Sequence, residues 1–201
     1  MEKELIKAAK EGNPNAFEQL AEKYYTKIYN YALRVLKNEQ DAFDASQDAL
    51  IKAYLNIKKF KEEANFFTWL FRITVNTCND YHKKNKKRST LSLSDSHEES
   101  KTTLQIEDKT QNIEEQILKA ERKSLLYKAI DTLPEIHRQM IFLRDIENFT
   151  YEEIAEITNL PLGTLKSKIS RARIKLKELL LKNKELFICF TVILIRKLFF
   201  K

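Results

Sequence analysis

The chain has 201 residues with a net charge of +7, and it contains only two glycines and three prolines. An all-β or α/β fold needs more turn-forming glycine than this, so the composition argues against those classes and predicts an all-α fold. The positive charge favours a polyanionic partner, nucleic acid before a membrane surface, although charge alone does not choose between them.

The cysteines and the amino terminus indicate the compartment. Cys78 and Cys189 lie far apart and have no metal-ligand spacing, so we expect free thiols in a reducing environment. The first residues, MEKELIKAAK, lack the apolar core of a signal peptide. We therefore predict a cytoplasmic protein.

The amino-terminal part of the chain predicts three helices, at 2–11, 14–36 and 41–58. Asn13 has a side chain suited to the N-cap of the second helix, and Pro14 suits the first position of that helix. The polar stripe of the third helix contains Asp44, Gln47, Asp48 and Lys52. A stripe of this kind is either a solvated face or a contact for a partner, and the residues alone leave both interpretations open.

Residues 66–88 predict a fourth helix with one apolar and one polar face. The polar face contains Trp69, Arg72, Asn76, Asn79, Asp80 and Lys83. An aromatic ring and amides that run into a cluster of cations are suited to hold a single nucleic-acid strand, with its backbone on the lysines. The alternatives are that Trp69 belongs to the core and that the cations form a solvated helix end.

Residues 89–110 predict a flexible acidic linker, because they contain nine Ser or Thr, five acids and two Lys without a clear apolar period. The linker would separate a helical domain at 1–88 from a second small helical domain at 111–182. Residues 183–201 form an apolar tail whose uninterrupted apolar run is too short to span a bilayer. The role of this tail stays unassigned.

The second domain contains a predicted helix-turn-helix at 149–180. Thr150 and Glu153 have the spacing of a capping box at its start, and Asn159 with Pro161 ends its first helix. The second helix has an apolar stripe of Leu162, Leu165, Ile169, Ala172 and Leu176. Its polar residues are Lys166, Ser167, Lys168, Ser170 and Arg171. Cations can bind DNA phosphates, and hydroxyls together with Arg can contact base edges. The pattern therefore predicts binding in the major groove of DNA. The alternative is a solvated basic face.

No set of residues with the pattern of a catalytic site is visible in the sequence. His82, His97 and His137 are isolated and have no metal-ligand spacing, and the chain lacks the glycines of a phosphate-cradling loop. We therefore predict that the protein is not an enzyme and has no catalytic residues, metal or cofactor.

Four stretches together resemble the two-domain bacterial RNA polymerase sigma factors of the extracytoplasmic-function (ECF) type. They are DAFDASQDALIKAY at 41–54, FKEEANFFTWLFRITVNTCNDY at 60–81, LPEIHRQMIFLRDIENFTYEEIAEI at 133–157 and LPLGTLKSKISRARIKL at 160–176. A helix-turn-helix alone is shared by many regulators, but TWLFRITVN followed at this separation by LPLGTLKSKISRAR is specific. The resemblance covers essentially residues 5–182.

The resemblance implies a protein that binds core RNA polymerase and directs promoter-specific transcription initiation. The 41–58 helix would dock on the polymerase clamp through Asp44, Gln47 and Asp48. The 66–88 helix would recognise and melt the −10 element, with Asn76 near a flipped base and with Trp69, Arg72, Asn79, Asp80 and Lys83 around the strand. The second helix of the helix-turn-helix would read the −35 element through Lys166, Ser167, Lys168, Ser170 and Arg171. The linker would thread the nucleic-acid channels of the polymerase.

Some positions depart from the pattern of this family. Phe43 stands where an acid is usual, Ala45 and Ser46 replace larger apolar residues, and Glu62 replaces a common glycine. These changes affect the detail of the predicted clamp contact and of the loop before the fourth helix.

A second hypothesis is a helix-turn-helix transcriptional regulator with an amino-terminal sensing or dimerisation domain. The 66–88 helix argues against it, because such a domain does not need a Trp-Arg-Asn face beside five cations. The resemblance also allows an anti-sigma factor as a partner. Membrane contact would come only through such a partner or through the apolar tail.

Overall fold

A computed structural model describes residues 1–61, 65–89 and 123–182. All regular structure in these ranges is helical, which confirms the predicted all-α class. The apolar tail, Glu62 and all of the predicted linker except Ser89 lie outside the described residues.

Four helices form the amino-terminal part. They are α1 (Glu2–Lys10), α2 (Pro14–Leu36), α3 (Glu39–Asn56) and α4 (Phe66–Ser89), with a 3-10 turn at Ile57–Lys59. The side chain of Asn13 accepts hydrogen bonds from the backbone N–H groups of Asn15 and Ala16, as its N-cap position predicts. Helix α3 begins at Glu39, two residues earlier than expected, because Asn38 caps it through the N–H of Asp41 at 2.9 Å.

The carboxy-terminal part contains α5, described over 123–131, followed by α6 (Glu135–Ile141), α7 (Tyr151–Thr158) and α8 (Leu162–Lys182). A π-helical turn, Phe142–Ile146, continues from α6. The N–H of Glu147 closes this turn on the carbonyl oxygen of Phe142 at 2.9 Å, a bond across five residues.

The described residues form two compact units. In the first unit, α3 packs between α2 and α4 through a stripe of small, fully buried side chains. These are Ala42, Ala45, Ser46, Ala49 and Ala53. Small side chains let neighbouring helix backbones approach closely, so Ala45 and Ser46 are part of the packing rather than gaps in it.

The second unit holds 123–148 and α8. Its core combines Ile130, Met140 and Leu143 with the apolar stripe of α8, of which Leu165, Ile169, Ala172 and Leu176 are buried as predicted. The expected burial of Leu162 is wrong: its side chain is 40% exposed. Leu162 is the first residue of α8, one turn before the first buried stripe residue.

The segment Phe149–Pro161 belongs to the first unit, although the sequence pattern groups it with 111–182. Its contacts explain this: Phe149 stacks on Phe67 of α4, and Glu153 accepts a hydrogen bond from Thr68. The boundaries 1–88 and 111–182 therefore describe the order of the chain, and their status as folding domains stays a prediction.

Candidate polymerase and nucleic-acid interface

The outward face of α3 combines acidic and apolar side chains. Asp44 and Gln47 lie half-buried on it, and Asp44 accepts a hydrogen bond from Gln40 at 3.0 Å. The same arc of the helix exposes Phe43 (47%), Ile51 (55%), Tyr54 (40%) and Leu55 (71%). We refer to Phe43, Asp44, Gln47, Ile51, Tyr54 and Leu55 together as the α3 surface. The apolar part of this surface was not predicted from the sequence, although the spacing of these residues places them on one side of the helix.

Asp48, which the resemblance assigns to the clamp contact, ties α3 to α4. Its Oδ2 accepts a hydrogen bond from the hydroxyl of Tyr81 at 2.8 Å. Burial, helped by the adjacent Asp48 carboxylate, raises the pKa of Tyr81 to about 12, which favours the protonated phenol that donates this bond.

Two further bonds join the same helices. Asn85 donates to Asp41 at 2.6 Å, and Lys52 donates to Thr77 at 3.1 Å. These bonds fix which face α4 turns outward.

The polar face of α4 is largely open to solvent. Asn76, Asp80 and Lys83 are exposed, and Asn79 is half-buried. The helix continues to Ser89 through the predicted cations, but the side chains beyond Asn85 lie outside those described.

Trp69 and Arg72 on this face both contact other parts of the protein. Trp69 is half-buried and packs against the rings of Phe60 and Phe66, with centroids 5.2 and 5.6 Å away. Its place beside the core supports the structural interpretation of this residue. Arg72 Nη2 donates to the side-chain oxygen of Asn159 at 3.3 Å.

The predicted capping box at the start of α7 is confirmed. Thr150 Oγ1 accepts from the N–H of Glu153 at 3.1 Å, and Glu153 Oε2 accepts from the N–H of Thr150 at 2.8 Å. Asn159 ends α7 in a left-handed conformation with φ 55°, which Asn tolerates better than most residues. Helix α8 begins three residues later, after Pro161.

The exposed face of α8 carries most of the predicted −35 residues. Lys166, Ser167, Ser170 and Arg171 are exposed, and Lys168 is half-buried. The hydroxyl of Ser167 donates to the carbonyl oxygen of Thr164 at 2.8 Å.

A neighbouring cation on α8 has a different role. Arg173 holds Asp145 of the π-helical turn through two hydrogen bonds, at 2.7 Å from Nη2 and 3.3 Å from Nε. The run SRAR therefore divides into an outward Arg171 and an inward Arg173, a distinction that the sequence analysis did not make.

The described residues contain no group of three or more His, Cys, Asp and Glu side chains arranged to hold a metal ion. Cys78 is fully buried, and burial raises the pKa of its thiol to about 12. None of the helices within these ranges combines the length and apolar character needed to cross a bilayer.

Comparisons with known proteins agree with this arrangement. The family model Sigma-70 region 2 matches residues 20–88, which include α3 and all of α4 except its last residue. The model Sigma-70, region 4 matches residues 123–176, which include α7 and most of α8.

Individual relatives match over most of their length. The ECF RNA polymerase sigma-E factor of Haemophilus influenzae is 33% identical over 84% of this chain and 89% of its own. The ECF RNA polymerase sigma factor SigW of Bacillus subtilis is 35% identical over 89% of this chain and 96% of its own. A solved structure of sigma factor RpoE with anti-sigma factor NepR from Bartonella quintana matches with a TM-score of 0.66 at 27% identity, over 84% of this chain and 98% of the solved one. The chain therefore belongs to the ECF RNA polymerase sigma factors.

Proposed function

We propose that this sigma factor docks on core RNA polymerase with the α3 surface, opens the −10 element with the polar face of α4 and reads the −35 element with α8. The observation that carries the proposal is that α4 and α8 each present an exposed polar face backed by buried apolar residues, within the two matched sigma-70 regions. A rigid helix with one free polar face is the element that DNA recognition commonly uses.

The α3 surface is suited to protein rather than DNA. Exposed apolar side chains mark interaction sites, and acidic groups beside them would repel a phosphate backbone. Asp44 and Gln47 would orient the polymerase at the edge of this surface, and Ile51 and Leu55 would be buried against it. Asp48 would contribute mainly by holding α4 in place through Tyr81.

The polar face of α4 is suited to an unpaired strand. A flipped base needs hydrogen-bond partners outside the duplex, and the exposed amide of Asn76 offers both a donor and an acceptor. Asn79 and Asp80 would contact neighbouring nucleotides, and Arg72 and Lys83 would contact the backbone. Trp69 would support the start of this face from beside Phe60 and Phe66.

On α8, we assign base contacts to Arg171 and to the hydroxyls of Ser167 and Ser170. Lys166 and Lys168 would bind phosphates and fix the register of the helix in the groove. Because Leu165 and Ile169 are buried behind this face, α8 can present it without rearranging the core of its unit.

The protein would act as a DNA-binding initiation factor and not as an enzyme, since the polymerase supplies the chemistry of RNA synthesis. It would therefore work in the cytoplasm, where polymerase and promoters are found. An anti-sigma protein is a further proposed partner, because the Bartonella quintana relative was solved in complex with one.

The docking step is tested by an anisotropy titration of the dye-labelled full chain with core polymerase. Ile51→Glu and Asp44→Lys should each raise the Kd by about tenfold or more, because they place charge against a buried apolar or acid-specific contact. Glu18→Lys changes a charge on the exposed part of α2 and serves as the matched control. Unchanged binding of both α3 variants, or no binding by the wild-type chain, would refute the docking proposal.

A further inference from the structure

The apolar tail, 183–201, lies outside the helices proposed to contact the polymerase and the promoter. Its run LFICFTVILI at 186–195 contains a single polar residue, Thr191, so apolar side chains would point to every side in any regular conformation. A segment that packs on one protein surface has instead an apolar face and a polar face. The run therefore needs an apolar environment on all sides.

The described end of α8 leads into this tail with apolar side chains that the core does not cover. Ile174 is 56% exposed and Leu181 is 44% exposed, whereas Leu176 and Leu180 on the same helix are buried. The two exposed residues are seven positions apart, so they lie on one side of α8. Lys177 is exposed between them on that side. The end of α8 therefore presents apolar groups with a cation among them.

The charge of this part of the chain is strongly one-sided. Residues 174–201 include seven Lys or Arg and two acids, and one of these acids, Glu178, pairs with Lys175 at 3.4 Å. Cations stand on both sides of the apolar run, at Lys182, Lys184, Arg196, Lys197 and Lys201. Long cationic side chains can reach lipid headgroups while neighbouring apolar residues enter the acyl chains. The pattern therefore matches a bilayer with anionic headgroups.

The length of the run limits how it can meet a bilayer. Its ten residues would extend about 15 Å as a helix, which is half of the roughly 30 Å hydrocarbon core. A segment of this length fits within one leaflet and does not span the bilayer. Cations at both of its ends can then stay at the same headgroup layer.

Other partners fit the tail less well. Pairing with a second copy of the chain would bring the cations of two tails together, and residues 186–201 contain no acid to neutralise them. DNA would attract the same cations, but it offers no apolar surface that could cover the run. An anionic bilayer satisfies both the apolar and the cationic part.

We propose that residues 174–201 are a peripheral membrane-binding element for bilayers that contain anionic lipids. The apolar run inserts into one leaflet, the flanking cations contact the headgroups, and Ile174 and Leu181 extend the contact onto α8. This element holds the sigma factor at the cytoplasmic face of a membrane without a membrane-spanning partner. It goes beyond promoter recognition and does not depend on how α4 and α8 contact DNA.

Flotation of the full chain with lipid vesicles measures this binding. The wild type should float with vesicles of phosphatidylcholine and phosphatidylglycerol, and much less with phosphatidylcholine alone. A variant with both Arg196→Gln and Lys197→Gln should have a lower partition coefficient on the anionic vesicles, by about fivefold per cation removed. Its binding to the neutral vesicles should change much less.

Ile193→Lys separates insertion from attraction at the surface. An added cation would strengthen a purely electrostatic contact with anionic lipids. If the run is inserted, the same change places a charge in hydrocarbon and should weaken binding by about tenfold or more. Ile193→Val is the matched control, because it keeps the run apolar and should bind like the wild type.

Ile174→Ser and Leu181→Ser test the part of the element that belongs to α8. Both side chains are exposed, so the changes should leave the melting temperature near that of the wild type. Each should weaken vesicle binding by about threefold, because apolar area that meets the bilayer is removed. Ile136→Ser is the matched control, since it removes an exposed isoleucine from α6 and should leave vesicle binding unchanged.

The outcomes that would overturn the proposal are distinct. A wild-type chain that floats with neither kind of vesicle does not bind membranes, and equal binding to both kinds contradicts the role of the cations. If Ile193→Lys binds anionic vesicles at least as tightly as the wild type, the run is not inserted. Unchanged binding of both serine variants would overturn the contribution assigned to α8. None of these results bears on the proposed polymerase and promoter contacts, which need no lipid.

Discussion

Arg171 and Arg173 lie two residues apart on α8, but their surroundings predict opposite effects of the same substitution. Arg171 is exposed on the face assigned to DNA. If it reads a base through two hydrogen bonds, Arg171→Ala should weaken binding to the cognate −35 duplex by about 1–3 kcal/mol, or roughly 5- to 150-fold in Kd. The free energy of unfolding of the Arg171→Ala variant should differ from that of the wild type by no more than about 0.5 kcal/mol, as for most surface substitutions.

For Arg173→Ala we expect the reverse. Arg173 holds Asp145 through two bonds, but the pair is partly exposed, with side-chain exposures of 35% and 23%. Solvent screening reduces the contribution of such an ion pair to stability. Its loss should therefore lower the free energy of unfolding by about 1 kcal/mol. In a chain of this size, that corresponds to a fall in Tm of about 2–4 °C. The −35 affinity of the folded protein should stay close to that of the wild type.

The assay is a fluorescence-anisotropy titration of the full chain on −35 duplexes with single base changes, together with thermal melts of the same samples. Arg171→Ala should also relax the preference at one base position. Wild-type affinity for Arg171→Ala would refute the assigned orientation of α8. So would a large loss of affinity in Arg173→Ala with an unchanged Tm.

Four further predictions concern single sites. Asn76→Ala should lower the permanganate reactivity of −10 thymines without loss of closed-complex binding, whereas an effect on folding alone would make Asn76 structural. Lys168→Ala should weaken binding to all −35 sequences alike and reduce the slope of log K against log salt by about 0.9, as measured in titrations at several salt concentrations. Leu165→Ala removes a fully buried side chain and should lower the free energy of unfolding in urea by ~2–5 kcal/mol. The buried Cys78 has a pKa raised to about 12, so the folded protein keeps the neutral thiol where the unfolded chain would ionise it. The contribution of this thiol to stability is therefore complete below about pH 9 and is lost as the pH rises toward about 12. The wild type should therefore lose more stability over that interval than Cys78→Ala, and equal losses would contradict the burial of this thiol.

Local signals in the sequence predicted the elements that depend on neighbouring residues. The capping box of α7 joins Thr150 and Glu153, and the stripe of α8 joins positions three and four apart, so both are visible in a short window. Leu162 fits the same period but is exposed, because the period does not show where along a helix the packed part begins.

Contacts between distant positions could not be predicted in this way. Phe149 and Phe67, or Arg72 and Asn159, are more than 80 residues apart, and no periodic pattern links them. The aromatic character of Phe67 indicated burial but did not identify its partner. Likewise, Asp48 belongs to the acidic stripe of α3 by spacing, and only the structure shows its bond to Tyr81.

The apolar part of the α3 surface was missed for a different reason. Ile51 and Leu55 lie at helical spacing with the acidic residues, but apolar residues in an amphipathic helix are ordinarily assigned to the core. Here the core stripe consists of alanines and a serine, which leaves the larger side chains for the outward face. The departures from the family pattern at Ala45 and Ser46 were the available signal.

Run-off transcription on fragmented genomic DNA tests promoter recognition by this chain, with core polymerase, the full chain and nucleotides as the only other components. We expect discrete transcripts that appear only when the chain is added and whose start sites share −10 and −35 sequences at a fixed separation. Those transcripts should weaken with Arg171→Ala and with Ile51→Glu, but not with Glu18→Lys. A folded chain that binds core polymerase yet yields no new start sites, or yields start sites without shared upstream sequences, would contradict the assignment of α4 and α8 as promoter-reading helices.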